Sequence, residues 1–275
     1  MKLYETTLPG GATLRGWLRD ETESMPGYNT RPAVLVVPGG GYCHVADREG
    51  DPVAAQFFAA GYNVFLLTYN VADTPDKAPL HFIPLRDAAG ALLHLRRHAA
   101  ELRVDPARVA ICGFSAGGHL AASTAMLAAD VEADLGLQPG ETIADAQPNA
   151  VILSYPVITA GPYAHAGSID TLAGDDAALH AHFSLENQVR PGLPPFFIWH
   201  TVEDELVPTQ NSLLLASSLQ AAGVPYELHL FPHGAHGSSL CTHEVNYPIR
   251  RNIAWMPLCI DWLDETFGYR CREAF

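Results

Sequence analysis

The sequence predicts an α/β protein with a mostly parallel central sheet and helices on both faces. Three observations predict it. After residue 30 the chain repeats one rhythm, a short apolar run, a glycine-rich turn and a helical pattern, as β-α units around a parallel sheet require. At 275 residues, with 48% apolar and 17% charged side chains, the chain can bury one full core. It carries no internal repeat and no low-complexity stretch, so residues 1–275 are expected to form one domain.

Residues 3–18, with Gly10-Gly11 at their centre, read as an antiparallel hairpin leading into the sheet. Residues 33–37 form a buried strand that runs into Pro38-Gly39-Gly40-Gly41-Tyr42. Residues 51–60 read as a helix, with Pro52 in its first turn and Gly61 after its end. Residues 63–69 are the next strand. A long helix is expected over 84–102, where Leu85, Ala88, Leu92 and Leu95 recur at helical spacing. A strand over 108–112 is followed at once by an Ala-rich helix over 116–129. Strands are expected over 150–155, 195–200 and 226–231, and a C-terminal helix from 246 onward, with Trp255, Leu258, Ile260 and Leu263 as its apolar positions. Residues 159–192 break the rhythm and read as a small insertion or lid near the active-site edge of the sheet, or else as a surface loop.

Charge and composition exclude several classes. A formal net charge of −14 lacks the clustered Lys and Arg that nucleic acid demands. No segment is long and apolar enough to span a bilayer, and the N-terminus does not read as a secretory signal, so a cytoplasmic location is expected. Five cysteines without a C-x-x-C pair suit free thiols in a reducing compartment.

The segment Gly113-Phe114-Ser115-Ala116-Gly117 stands between a strand and a helix, where a nucleophile elbow has to sit. Such a turn holds its serine in a strained conformation, so its neighbours must be small, and the helix that follows directs its dipole at a developing oxyanion. The plainer alternative is a glycine-rich β-α turn with Ser115 as an N-cap. The glycines after the strand at 33–37 supply a matching oxyanion loop, with the N–H groups of Gly40, Gly41 and Ala116 as donors. A phosphate-binding turn is the alternative there, but neither G-x-G-x-x-G spacing nor a Walker lysine accompanies it. An acid and a histidine then follow in chain order, Asp204 after one strand and His236 after the next. Asp204 would orient His236, and His236 would take the Ser115 proton and return it to the leaving alcohol. Glu203 and Glu205 compete with Asp204, and His233 competes with His236.

At these residues the chain resembles the carboxylesterase and carbohydrate-esterase branch of the α/β-hydrolases, which includes acetylxylan and feruloyl esterase relatives. The resemblance runs from Pro38 to about Gly237, through Pro38-Gly-Gly-Gly-Tyr42, Glu49-Gly50, Leu67-Thr-Tyr69, Gly113-Phe-Ser-Ala-Gly-Gly-His119, the Asp204 loop and Gly234-Ala-His-Gly237. It implies an α/β-hydrolase fold, Ser115, Asp204 and His236 as a triad, Gly40, Gly41 and Ala116 around the oxyanion, and small acyl esters, often acetyl groups on sugars. Pro38 stands where relatives of the hormone-sensitive-lipase type place His, which favours the carbohydrate-esterase side.

Other features carry weaker chemistry. His229, His233, His236, Cys241 and His243 lie close in sequence, but their spacing is irregular and no metal is expected. No cofactor is expected either. His119 is expected to pack or hydrogen-bond locally, Glu49 to anchor its loop, and Arg86-Asp87 to pair on a helix face. Tyr42, Phe114 and Trp199 are candidates for the wall of a substrate pocket, with core packing the equal alternative. The expected function is hydrolysis of short acyl esters, on a small molecule or an oligosaccharide, through an acyl-enzyme. The rivals are a general small-ester carboxylesterase, a peptidase of the prolyl-oligopeptidase kind, and an inactive binding protein on the same scaffold.

Overall fold

A computed structural model describes residues 1–74 and 77–271. Its strands are β1 (Lys2–Thr7), β2 (Thr13–Leu18), β3 (Arg31–Val37), β4 (Asn63–Thr68), β5 (Val104–Phe114), β6 (Ala150–Ser154), β7 (Phe196–Thr201) and β8 (Tyr226–Phe231). Among the described residues these form one sheet in the order β1-β2-β4-β3-β5-β6-β7-β8. The expected hairpin is present as β1 and β2, with Lys2 opposite Leu18 and Thr7 opposite Thr13. β2 runs antiparallel to β4, and all the pairings from β4 to β8 are parallel.

Parallel neighbours need crossovers, and these are the helices. They are α1 (Asp51–Ala59), α2 (Ile83–Arg97), α3 (Ala99–Leu102), α4 (Ala116–Met126), α5 (Ala166–Ala173), α6 (Ala177–His182), α7 (Gln210–Ala222) and α8 (Trp255–Phe267). Strand residues divide alternately between the two faces. Ala33, Leu35, Val37, Val109 and Ile111 meet α2, α4 and α7 on one side. Val34, Val36, Ala110, Cys112 and Phe114 meet α1 and α8 on the other. The sheet is thus buried on both faces, which gives an α/β-hydrolase architecture.

Several local outcomes differ from or refine the sequence expectation. The helix expected over 84–102 breaks at His98 (φ −104°, ψ 19°), and Arg103 turns left-handed (φ 53°), because the chain must reverse within a few residues to enter β5. The C-terminal helix begins after a 3₁₀ turn at Asn252–Ala254 and not at 246, because Asn246 is left-handed (φ 61°) and Pro248 follows it. Leu258 lies on the exposed side of that helix. The crossover helix α7 has no counterpart in the expected elements. Within 159–192 the chain forms α5, α6 and a 3₁₀ turn at Leu185–Asn187.

The strand order also locates a crevice. From β3 the chain moves outward to β4, then returns past β3 to β5, so the carboxyl ends of β3 and β5 flank a topological switch point. Val37 and Gly113 pair there.

On the α1/α8 face, Trp255 is fully buried and stacks on Trp199 with ring centres 5.1 Å apart and planes 18° apart. Trp255→Ala opens a void beneath α8 and should lower stability by about 3–5 kcal/mol. Thermal unfolding should show this as a fall of roughly 10 °C in Tm, while Leu258→Ala changes stability by under about 1 kcal/mol. Equal losses for the two would contradict the packing described.

Candidate active site

Ser115 follows β5 directly and has φ 52° and ψ −120°, a backbone conformation that residues with a side chain rarely adopt. Hydrogen bonds hold it there. Its N–H donates to Ser154 O (3.0 Å), and its carbonyl accepts from Val157 N (3.0 Å) and His119 N (3.1 Å). The turn tolerates no bulk beside it. A Cβ on Gly113 would lie 2.1 Å from Gly117 O, and one on Gly117 would lie 2.2 Å from Val37 O. Ser115 is therefore held at the switch point by β6, α4 and the end of β3 together.

Loops after β7 and β8 bring two further side chains to it. His236 Nε2 lies 2.7 Å from Ser115 Oγ, and His236 Nδ1 lies 2.7 Å from Asp204 Oδ2. Asp204 is buried, and its other oxygen accepts the N–H groups of Leu206 (3.1 Å) and Val207 (2.9 Å). His200 Nε2, bonded to Val207 O (2.9 Å), also approaches Asp204 Oδ2 at 3.3 Å. Burial alone would raise the Asp204 carboxyl. Hydrogen bonds from His200 and His236, with the nearby His236 charge and the Val207 N–H, outweigh burial and hold it well below the usual carboxylate range. Asp204 is thus an ionised acceptor, as the orienter of a histidine base must be. The competing residues go elsewhere: Glu203 accepts from His233 Nδ1 (2.7 Å) and Gly234 N (3.3 Å) at the surface, and Glu205 is exposed.

The loop after β3 lies across from Ser115. Gly39 N donates to Glu49 Oε2 (2.7 Å), whereas among the described residues the N–H groups of Gly40 and Gly41 meet no protein acceptor. Ala116 opens α4, so its N–H also has no partner one turn earlier. Glu49 is only 1% exposed, and its second oxygen accepts the Tyr155 hydroxyl (2.8 Å), which in turn accepts Ser239 N (2.9 Å). Burial raises the Glu49 carboxyl, partly offset by the Tyr155 and Gly39 hydrogen bonds. Burial also raises Tyr155, whose hydroxyl keeps its proton and donates it to Glu49. The Tyr155 ring meets His236 edge-on at 5.0 Å. One buried carboxyl thus ties the glycine loop after β3 to the loop carrying His236, a role that one glutamate beside a glycine does not announce in sequence.

A cleft of about 260 Å³ opens above Ser115, walled among others by Gly40, Gly41, Arg48, His165, Leu206 and His236. His165 caps α5 and arrives from the irregular stretch 159–192. Its Nδ1 accepts Ser168 N (3.3 Å) and bonds Ser168 Oγ (2.8 Å). A backbone N–H can only donate, so the neutral ring carries its proton on Nε2. Burial, and a positive charge on His236 whenever it is protonated, lower its pKa. His165 has no sequence signal beyond its residue type. A larger cleft of about 460 Å³ lies between Pro9 and Arg97, away from these groups. Chemistry and not size picks out the smaller one.

Tyr42, Phe114 and Trp199 are placed in the core and not in the cleft wall. Phe114 and Trp199 project onto the α8 face, where both meet Trp255. The Tyr42 hydroxyl donates to His119 Nδ1 (2.8 Å), because His119 Nε2 donates to Phe183 O (2.9 Å) and so carries the ring proton. Burial lowers His119 to about 4, and the ring is neutral. The clustered histidines disperse: His229 pairs with Glu227 and His233 with Glu203. Among the described residues no group of three His, Cys, Asp or Glu side chains is placed to hold a metal, and no helix is long and apolar enough to cross a membrane.

Comparison with known proteins identifies relatives of the chain. The BD-FAE family model matches residues 24–219. The endo-1,4-beta-xylanase B of Butyrivibrio fibrisolvens is 41% identical over 217 residues, which cover 78% of this chain and 33% of that protein. An acetylxylan esterase of Xylanibacter ruminicola is 30% identical over 213 residues, covering 74% of this chain and 40% of that protein. The chain therefore spans between a third and two fifths of the length of these two relatives. The crystal structure of an acetyl ester-xyloside bifunctional hydrolase from Caldicellulosiruptor lactoaceticus superposes with a TM-score of 0.79 at 34% identity, covering 95% of this chain and 90% of that one.

A depressed folded-state pKa stabilises the fold above the unfolded value and loses that effect as pH falls toward the folded one. Asp204→Asn should therefore lower stability at pH 7, and the gap to the unaltered protein should narrow below about pH 4, near the free aspartate value. Urea midpoints measured from pH 7 to pH 3 test this. A gap constant across that range would show that the ionised form of Asp204 contributes nothing.

Proposed function

The chain belongs to the BD-FAE family, and from that premise we propose that it is a serine esterase removing short acyl groups, chiefly acetyl, from carbohydrate esters. One observation carries the reading: the unbroken chain from Ser115 Oγ through His236 to Asp204, at 2.7 Å in both links. Ser115 Oγ attacks the ester carbonyl as its proton passes to His236 Nε2, and ionised Asp204 stabilises the imidazolium. The carbonyl oxygen, now negative, is received by the N–H groups of Gly40, Gly41 and Ala116, each worth about 3 kcal/mol to a transition state. His236 returns the proton to the departing alcohol oxygen and leaves an acyl-Ser115. Water then repeats the sequence with His236 as base and releases the acid.

The size and polarity of the cleft support the substrate side of the reading. About 260 Å³ suits a small acyl group better than a long chain. The Arg48 and His165 donors at its wall suit a hydroxyl-rich alcohol better than an apolar one. The relatives named for acetylxylan and for acetyl ester-xyloside hydrolysis point the same way.

Ser115→Ala should lower turnover of p-nitrophenyl acetate by at least ~10³-fold, as removal of a nucleophile does in comparable sites, with Tm retained. A loss of only a few-fold would remove Ser115 from the reaction. Acetylated xylose should be hydrolysed by the unaltered protein, and p-nitrophenyl esters should lose kcat/KM steadily from acetate to octanoate. Preference for octanoate would overturn the acyl assignment.

A further inference from the structure

The cleft over Ser115 does not end at its own mouth. Three of its wall residues, His44, Ala46 and Arg48, also line a second, open space of about 670 Å³, whose far wall is Glu244, Val245, Asn246 and Tyr247. The two spaces adjoin along these three residues, and Ser115 lines only the inner one. Resting on the esterase reading above, we propose that this outer groove is a binding site for further sugar units of a neutral oligosaccharide whose acylated unit lies over Ser115.

The far wall is preformed. Cys241 N donates to Ser238 O (2.8 Å), Tyr247 N to Thr242 O (3.1 Å), Asn246 N to His243 O (3.2 Å) and Ile249 N to Cys241 O (3.0 Å), so the loop is closed on its own backbone. Arg48 is fixed at the junction: its Nε donates to Gly237 O (2.7 Å), one residue beyond His236, and its guanidinium stands 5.6 Å from the Tyr247 ring centre. The side-chain groups of Asp47, Glu244 and Asn246 engage no protein hydrogen bond among the described residues, which leaves two carboxylates and one amide for a ligand. The space thus offers a guanidinium, two carboxylates and one amide beside one half-buried aromatic ring.

That chemistry selects among ligands. Two carboxylates against one guanidinium disfavour a phosphate or other anion. The polar walls disfavour an acyl chain. A neutral polyol is the class that accepts from Arg48, donates to Asp47 and Glu244, and lays a C–H face on Tyr247.

The test is binding without hydrolysis, in the Ser115→Ala protein. Calorimetric titration with unacetylated xylotetraose and with xylose should give a Kd at least tenfold lower for the tetramer. Adding Tyr247→Ala should raise the tetramer Kd at least tenfold, and Glu244→Ala with Asn246→Ala, at unchanged circular dichroism, should act in the same direction. A tetramer that binds no tighter than xylose, or a tetramer Kd unmoved by both sets of changes, overturns the groove. Deacetylation of acetylated xylose by the unaltered protein reports separately on the esterase reading. Tetramer binding without deacetylation would leave the groove standing and sink that reading, and deacetylation without tetramer preference would do the reverse.

Discussion

Everything at the site depends on how closely the backbone after β3 can approach the backbone after β5. A Cβ on Gly117 would fall 2.2 Å from Val37 O and 2.3 Å from Pro38 O, and one on Gly39 would fall 2.7 Å from Phe114 O. Only bare backbone fits in either direction. The contact sets Ser115 beside the Gly40-Gly41 turn and fixes the origin from which the loops after β7 and β8 must reach. The sheet supports it from below: Val37 pairs with Gly113, and Gly113 pairs with Leu153 of β6.

Glu49 performs a second fixing from the side. A buried carboxyl in an apolar surrounding is unfavourable unless its oxygens are engaged, and here one accepts Gly39 N–H and the other the Tyr155 hydroxyl. Because Gly39 N–H is taken, the free donors of the turn are the next two, Gly40 and Gly41. Because Tyr155 also accepts Ser239 N–H, the His236 loop is referenced to the same carboxyl. Arg48 adds two ties, from its Nε to Gly237 O and from Ser239 Oγ to its own carbonyl. The proposed base and the proposed oxyanion donors thus share one rigid frame although nearly two hundred residues separate them.

Much of this was legible in the sequence. The apolar runs at 33–37, 63–69, 150–155, 195–200 and 226–231 are dense enough to be strands, and Ser115, Asp204 and His236 follow such runs in order. Residue type alone does not say which way a side chain faces in a strand buried on both sides, since alternation of polarity is lost there. This is why Phe114 and Trp199 read equally as cleft or core and prove to face α8. The break at His98 depends on where β5 must begin, and helix α7 is demanded by the parallel pairing of β7 with β8, a relation known only once the strands are ordered. The importance of Glu49 rests on two partners, ten residues before it and 106 after it.

His165 stands apart from the other residues of the cleft in origin. Ser115, Asp204 and His236 follow the carboxyl ends of β5, β7 and β8. His165 caps α5, in a stretch that also packs Ile169, Leu172, Phe183 and Leu185 into the core. Exchanges confined to His165 and its exposed neighbours Pro162 and Tyr163 alter the wall of the cleft while leaving the buried residues of that stretch in place. The proposed chemistry and the proposed preference therefore rest on different parts of the chain, and a library randomised only at 161–163 and 165 would vary the second while the proposed triad stays as it is.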